Sequence, residues 1–388
     1  MLASMFLKKE SNADSKSATG FGALIRSEFA LIISLGTVTI FFGIGNQIVE
    51  DITHPFGLLA IFLLLFAVIL WSAISVVRHA DCLAIKCGEP YGTLILTLAA
   101  ISIEVMMIST AMLHGANNPT LARDAMFAVI MIALGGLVGL SLLLGGLRHR
   151  EQHYNLQGVN SYLNLIMALA VLGLILPNFT TSISGPRFST AQEIFLVTVS
   201  LLLYGIFLLI ETMRHSQYFM ESQDVVVKPA SAHHQLQIRS TPYHVLMLII
   251  YLLAVILLAE KFAIPLDNGI EQFRMPQAFG GAIIAALVLA PEGLGALHAT
   301  LNNHLQRSIN ILLGSVLATI GLTIPAVLTI GLITKRQVTL GVQGGNLPLL
   351  LLTLAVSVVT FTSGKTNVLQ GCIHLLLFAA FVLLIFAP

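Results

Sequence analysis

The sequence predicts an all-α polytopic membrane protein with eleven transmembrane helices, one leading helix plus two inverted five-helix repeats. Three observations lead there. First, 56% of the 388 residues are hydrophobic and only 10% are charged, against about 25% charged in an ordinary soluble domain. That leaves too little polar surface to cover a water-soluble globule. Second, eleven apolar stretches approach the roughly 20 residues that a helix needs to cross a hydrocarbon core of about 30 Å. Lipid offers the backbone no hydrogen-bond partner, so such stretches cross as helices. Third, each half of the chain carries one glutamate deep in an apolar stretch, at corresponding places. The formal net charge of +1 provides no bulk field that would favour nucleic acid or an acidic partner.

Residues 1–27 read as a polar cytoplasmic tail. Its basic pair, Lys8 and Lys9, follows the short apolar start and no small-residue cleavage site succeeds it, so no signal peptide is expected. The leading helix is expected at 28–45. A first repeat covers 55–212, with spans near 55–76, 93–113, 124–147, 159–177 and 191–212. Residues 213–242, rich in Ser, Gln, His and charge, read as a mobile cytoplasmic linker. The second repeat covers 243–388, with spans near 243–260, 279–301, 308–334, 347–363 and 367–386. With the N-terminus inside, Arg123, Arg187, Lys261, Arg274, Lys335 and Arg336 fall outside, leaving thirteen of the 19 Lys and Arg residues on the cytoplasmic side. That is the bias that sets membrane orientation, and eleven crossings then place the C-terminus outside.

The acidic residues of interest are Glu104, in LTLAAISIEVMMIST, and Glu292, in ALVLAPEGLGALHAT. A charge at such depth costs about 3 kcal/mol on insertion scales, so an intramembrane acid is read as functional by default. Each lies in the second helix of its five-helix block. Because the blocks have an odd number of helices, equivalent helices run in opposite directions, and the two carboxyls can meet near the midplane.

The next helix of each block repeats a pattern: LGGLVGLS at 134–141 and LGSVLATI at 313–320. Gly135 and Gly139 share one helical face, with Gly136 beside them, and Gly314 occupies the corresponding place in the second block. Small residues there let helix backbones approach closely. Ser315 and Thr319, four residues apart on one face, offer hydroxyl oxygens to a cation. Pro291 directly precedes Glu292 and removes a backbone donor, so the helix is expected to distort and free carbonyls near Val288, which with a carboxylate suit a hard cation. Glu104 has no neighbouring proline, only Ser102 and Thr97.

Asp81, Glu89, Asn302 and Asn303 flank the cytoplasmic ends of these helices, either gathering cations at an entrance or simply solvated. His298 reads either as a proton relay or as an interfacial residue. Cys82, Cys87 and Cys372 imply no disulfide framework, and the His149/His153 spacing lies in a basic loop that would repel a metal. No HExxH pair or GxSxG elbow is present for a membrane-embedded hydrolase.

The strings VVRHADCLAIKCGEPYGTLILTL (76–98), GGLVGLSLLLGG (135–146), APEGLGALHATLNNHLQRSINILLGSVLATIGLTIPAV (290–327) and FTSGKTNVLQG (361–371) resemble those of bacterial ChaA-type calcium/proton and sodium (potassium)/proton antiporters, in the cation/calcium exchanger superfamily. The resemblance implies an eleven-helix fold that exports Ca²⁺, Na⁺ or K⁺ in exchange for H⁺, with Glu104 and Glu292 alternately holding cation and protons, and no resident cofactor. It also implies that Gly135, Gly136, Gly314 and Ser315 lie in the helices facing that centre. The chain departs from the wider family at Ile101 and Leu289, where an Asn usually stands three residues before each glutamate, so monovalent cations are easier to accept. The expected partners are the lipid bilayer and the transported ions, and the alternative reading is a passive cation channel. Oligomeric state is not legible.

Overall fold

The computed structural model describes residues 27–43, 55–88, 91–114, 118–220 and 238–387. The expected tail, most of the linker and Glu89 lie outside the described residues. Among those described, eleven helices follow one another: α1 (Phe29–Gly43), α2 (Pro55–Cys87), α3 (Tyr91–His114), α4 (Leu121–His149), α5 (Leu156–Asn178), α6 (Thr190–Arg214), α7 (Thr241–Gln272), α8 (Ala278–Leu301), α9 (Leu305–Thr334), α10 (Asn346–Thr360) and α11 (Val368–Phe386).

Two helices run well past their expected ends. For α2 the expected end was 76 and the observed end is Cys87; for α7 the expected end was 260 and the observed end is Gln272. Polar residues lower the hydropathy there without breaking the helix. Arg78 and His79 reach Glu28, and Lys261 pairs with Glu260 at 3.7 Å and lies 4.2 Å from the Phe42 ring centroid. Lys261, expected in a loop, is therefore a buried residue within α7.

The two halves pack by the same rules. α2 crosses α7 extensively; α3 meets α9 as α8 meets α4; α6 packs on α9 as α11 packs on α4. Exchanging α2–α6 for α7–α11 turns each contact into its counterpart, which is the two-fold relation expected of inverted repeats. α4 and α9 are the most enclosed helices, whereas α6 and α11 present broad apolar faces outward, including Phe195, Leu202, Leu376 and Leu383. The last helix of each half also starts alike: the Ser189 amide donates to Gln192 Oε1 at 2.9 Å, and the Asn367 amide donates to Gln370 Oε1 at 3.1 Å. Each closes one of the donors that a helix start leaves open.

Close approach of backbones holds α4 at the centre. A Cβ on Gly281 of α8 would lie 2.6 Å from the Ala125 amide, and one on Gly371 of α11 would lie 2.5 Å from the Leu143 amide. Gly205 of α6, by contrast, faces open space. Gly281→Ala is therefore expected to lower stability by about 1–3 kcal/mol through overpacking, while Gly205→Ala holds or raises it through helix propensity. Thermal unfolding of the two purified variants in one detergent checks the contrast; equal melting temperatures would contradict the packing described.

Candidate functional site

Glu104 on α3 and Glu292 on α8 line one cavity. α9 runs past both. Thr319 Oγ1 donates to Glu104 Oε2 at 2.8 Å, and Ser315 Oγ donates to Glu292 Oε2. Ser315 and Thr319 are four positions apart, one helical turn, which puts both hydroxyls on one face. Glu104 is 5% exposed and its Oε1 has no hydrogen-bond partner, although Thr323 lies beside the same carboxyl. Such an atom is costly to bury.

Gly293 explains how α8 delivers its carboxylate. A Cβ there would stand 2.9 Å from the end of the Leu137 side chain of α4, so α8 lies close against α4 just after Glu292. The helix is not interrupted at Pro291; α8 is continuous from Ala278 to Leu301. Pro291 thus sits inside a continuous helix. What remains of the expectation is that proline gives no amide hydrogen to the carbonyl of Leu287, next to Val288, which lines the cavity.

The cavity measures about 580 Å³ and is lined by α2, α3, α5, α6, α8 and α9. Its walls include Asp81 near the end of α2, Glu211 and Ser216 at the end of α6, and Arg307 at the start of α9. All of these lie toward one end of the bundle. At the opposite face the segment joining α9 to α10 lies across the loops of the first half. Thr339 donates to the Pro119 carbonyl at 3.0 Å, Gly341 to Pro186 at 3.1 Å and Val342 to Leu174 at 2.8 Å. Arg336 donates to the carbonyls of Met112 and Leu113 at the end of α3, where a cation also complements the helix dipole.

The structure brings together Glu104, Glu292, Ser315, Thr319, Gly314 and Pro291, with Asp81 further out on the same cavity wall. Ser102 is turned to its own helix, donating to Leu98 at 2.6 Å, and does not line the cavity. Gly135, Gly136 and Gly139 face Phe378, His374 and Leu375 of α11; their pattern marks a helix contact on the side away from the carboxyls. His298 and Asn302 are exposed and lie together, while Asn303 accepts from Gln152 at 3.0 Å; none of the three lines the cavity. Among the described residues no group of three His, Cys, Asp or Glu could hold a metal ion.

Two features escaped the sequence reading. One is Glu211 with Tyr162, both on the cavity wall. The other is a buried polar knot: Glu28 accepts from Arg78 at 2.8 Å, Tyr243 at 2.7 Å and Tyr251 at 3.0 Å, with His79 at 3.2 Å and the His79 and His244 Nδ1 atoms 2.9 Å apart. It joins the start of α1 to α2 and α7. Its members come from distant parts of the chain, so no local spacing announces them.

The sodium/calcium exchanger protein family model matches residues 57–213 and 243–387, the two halves on either side of the linker. The chain belongs to this family. Among exchanger relatives, the sodium-potassium/proton antiporter ChaA of Escherichia coli (strain K12) is 42% identical over 330 residues, covering 85% of this chain and 89% of that protein. The fold is also that of solved exchangers. The crystal structure of the selenium-substituted Ca²⁺/H⁺ antiporter protein YfkE superposes with a TM-score of 0.70 at 17% identity, over 93% of this chain and 99% of that one. The H⁺/Ca²⁺ exchanger CAX superposes with a TM-score of 0.64 at 16% identity, over 92% of this chain and 88% of that one.

For this exchanger-family site, Thr319→Val keeps the shape of the side chain but removes the donor to a buried carboxyl. The variant is expected to lose about 1–3 kcal/mol of stability, and Thr319→Ser to recover most of it. Melting temperatures of wild type, Val and Ser variants measure this directly; a Val variant as stable as wild type would separate Thr319 from the carboxyl.

Proposed function

We propose that the protein is a secondary cation/proton antiporter that exports Ca²⁺, Na⁺ or K⁺ from the cytoplasm in exchange for H⁺. The observation that carries this reading is that Glu104 and Glu292, delivered by α3 and α8, line one cavity and are both held by hydroxyls of α9. Relatives that are themselves antiporters support it.

The mechanism follows from competition for two carboxyls. Desolvation favours the protonated form of a carboxyl, whereas a bound cation favours the ionised form. A cation entering from the cavity displaces protons from Glu104 and Glu292, with Ser315 and Thr319 oxygens as further ligands. Exchange results if access switches only when one or the other is bound, and reorientation of α2 and α7 against the central helices is the movement that fits the repeat. In the inward-open form, the bonds of Arg336 and of residues 339–342 keep the far side shut. We place the N-terminus in the cytoplasm and the C-terminus in the periplasm of a bacterial inner membrane, and assign 55–212 and 243–388 as the two repeats around a cytoplasmic linker. A channel would need a path open to both sides, and a membrane-embedded hydrolase would need a nucleophile or metal centre.

Acid-loaded everted vesicles, followed with a pH-sensitive dye, test the reading. Addition of Ca²⁺, Na⁺ or K⁺ is expected to alkalinise the lumen, and Glu104→Gln or Glu292→Gln to abolish the response while the protein still inserts. Retained exchange in either variant would remove that residue from the site, and proton movement that needs no opposing cation would favour a channel.

A further inference from the structure

Between the central pair and the cavity mouth stands a third carboxylate. Glu211 lies on a wide π turn, Ile210–Arg214, at the end of α6; such turns often serve function. Tyr162 of α5 donates its hydroxyl to Glu211 Oε1 at 2.5 Å. The Tyr162 side chain is 2% exposed, with its ring centroid 4.8 Å from that of Phe207 and 5.4 Å from that of Phe219. Asn310 of α9 fastens the Phe219 carbonyl at 2.7 Å. Tyr162 is therefore held, and it presents a donor to an anion, an arrangement that suits an ionised carboxylate.

The position matters as much as the pairing. The Tyr162 hydroxyl lies 3.7 Å from the place a Cβ would occupy on Gly314, the residue before Ser315, whose hydroxyl holds Glu292. Glu211 and Tyr162 line the cavity that Glu104 and Glu292 close, as does Asp81. Arg307 is the opposing charge at this mouth and is exposed. Asp81 and Glu211 outnumber Arg307 in this part of the lining, and a cleft lined by one sign of charge concentrates counter-ions.

We propose that Glu211, oriented by Tyr162, is a capture site for the transported cation on its way to Glu104 and Glu292. The assignment rests on the antiport reading. A partly hydrated cation binds the Glu211 carboxylate beside Tyr162 and then moves inward as the central carboxyls give up their protons. Glu211 thus governs how readily the cation is taken up, and the central pair governs whether exchange occurs.

The test separates the two roles. In everted vesicles, Glu211→Gln is expected to raise the KM for Ca²⁺ about tenfold, the scale of one lost charge contact, with the maximal rate within about twofold of wild type. Glu211→Asp is expected to restore the KM, and Tyr162→Phe to raise it by about threefold. An unchanged KM in Glu211→Gln, or a fall in maximal rate alone, overturns the proposal. Tb³⁺ alone, a calcium-sized ion whose emission is sensitised by an adjacent tyrosine, gives a readout without transport. Emission on tyrosine excitation is expected to persist in the Glu104→Gln/Glu292→Gln double variant and to vanish in Glu211→Gln; the reverse pattern overturns the proposal. Wild-type vesicles that show no cation-driven proton movement would defeat the antiport reading, and the Tb³⁺ result would still decide whether Glu211 binds a cation.

Discussion

Two hydroxyls one turn apart on α9 hold the two intramembrane carboxyls, and much of the surrounding structure serves that arrangement. A carboxyl in a bilayer core is expensive, and a single hydroxyl compensates it only in part. Glu104 keeps one oxygen without a partner, so the site is stable enough to exist and unsatisfied enough to accept something. The close packing of α8 on α4 at Gly281 and Gly293 sets where Glu292 arrives. The enclosure of α9 within the bundle fixes where its hydroxyls point.

The ends of the bundle are built differently. On the side of the α9 to α10 segment, backbone bonds tie the two halves together across their loops, and these bonds share no side chain with the carboxyls. On the other side the cavity walls come from six helices and carry ionisable side chains. One end is tied by backbone bonds between the halves and the other is lined by ionisable side chains. Motion that closes the cavity need not melt any helix, since α2 and α7 cross each other directly and the Glu28 knot binds both to α1.

Much of this was legible in the chain. Apolar length announced the spans, and breaks in apolarity announced Glu104 and Glu292, because a bilayer tolerates few unexplained acids. The four-residue spacing of Ser315 and Thr319 put them on one face, as found. Hydropathy failed where polar residues are paired inside a helix: it ended α2 before Arg78 and α7 before Lys261. Periodicity marked the Gly135–Gly139 face as a contact, but a period names a face and not its partner, which is α11. Glu211 and Glu28 were missed because their partners are 49 and about 50 to 220 positions away, distances over which spacing carries no signal.

The repeat is not symmetric at its centre. Where α9 carries Ser315 and Thr319, the matching positions of α4 carry Gly136 and Leu140, so one half supplies both hydroxyls. A perfectly two-fold molecule would have inward-facing and outward-facing forms of equal energy, each a mirror of the other in occupancy. Here symmetry does not require that equality, and each 1.4 kcal/mol of difference between two such forms is tenfold in population. With both hydroxyls on one helix, nothing in the symmetry of the fold holds the two directions of access to equal population.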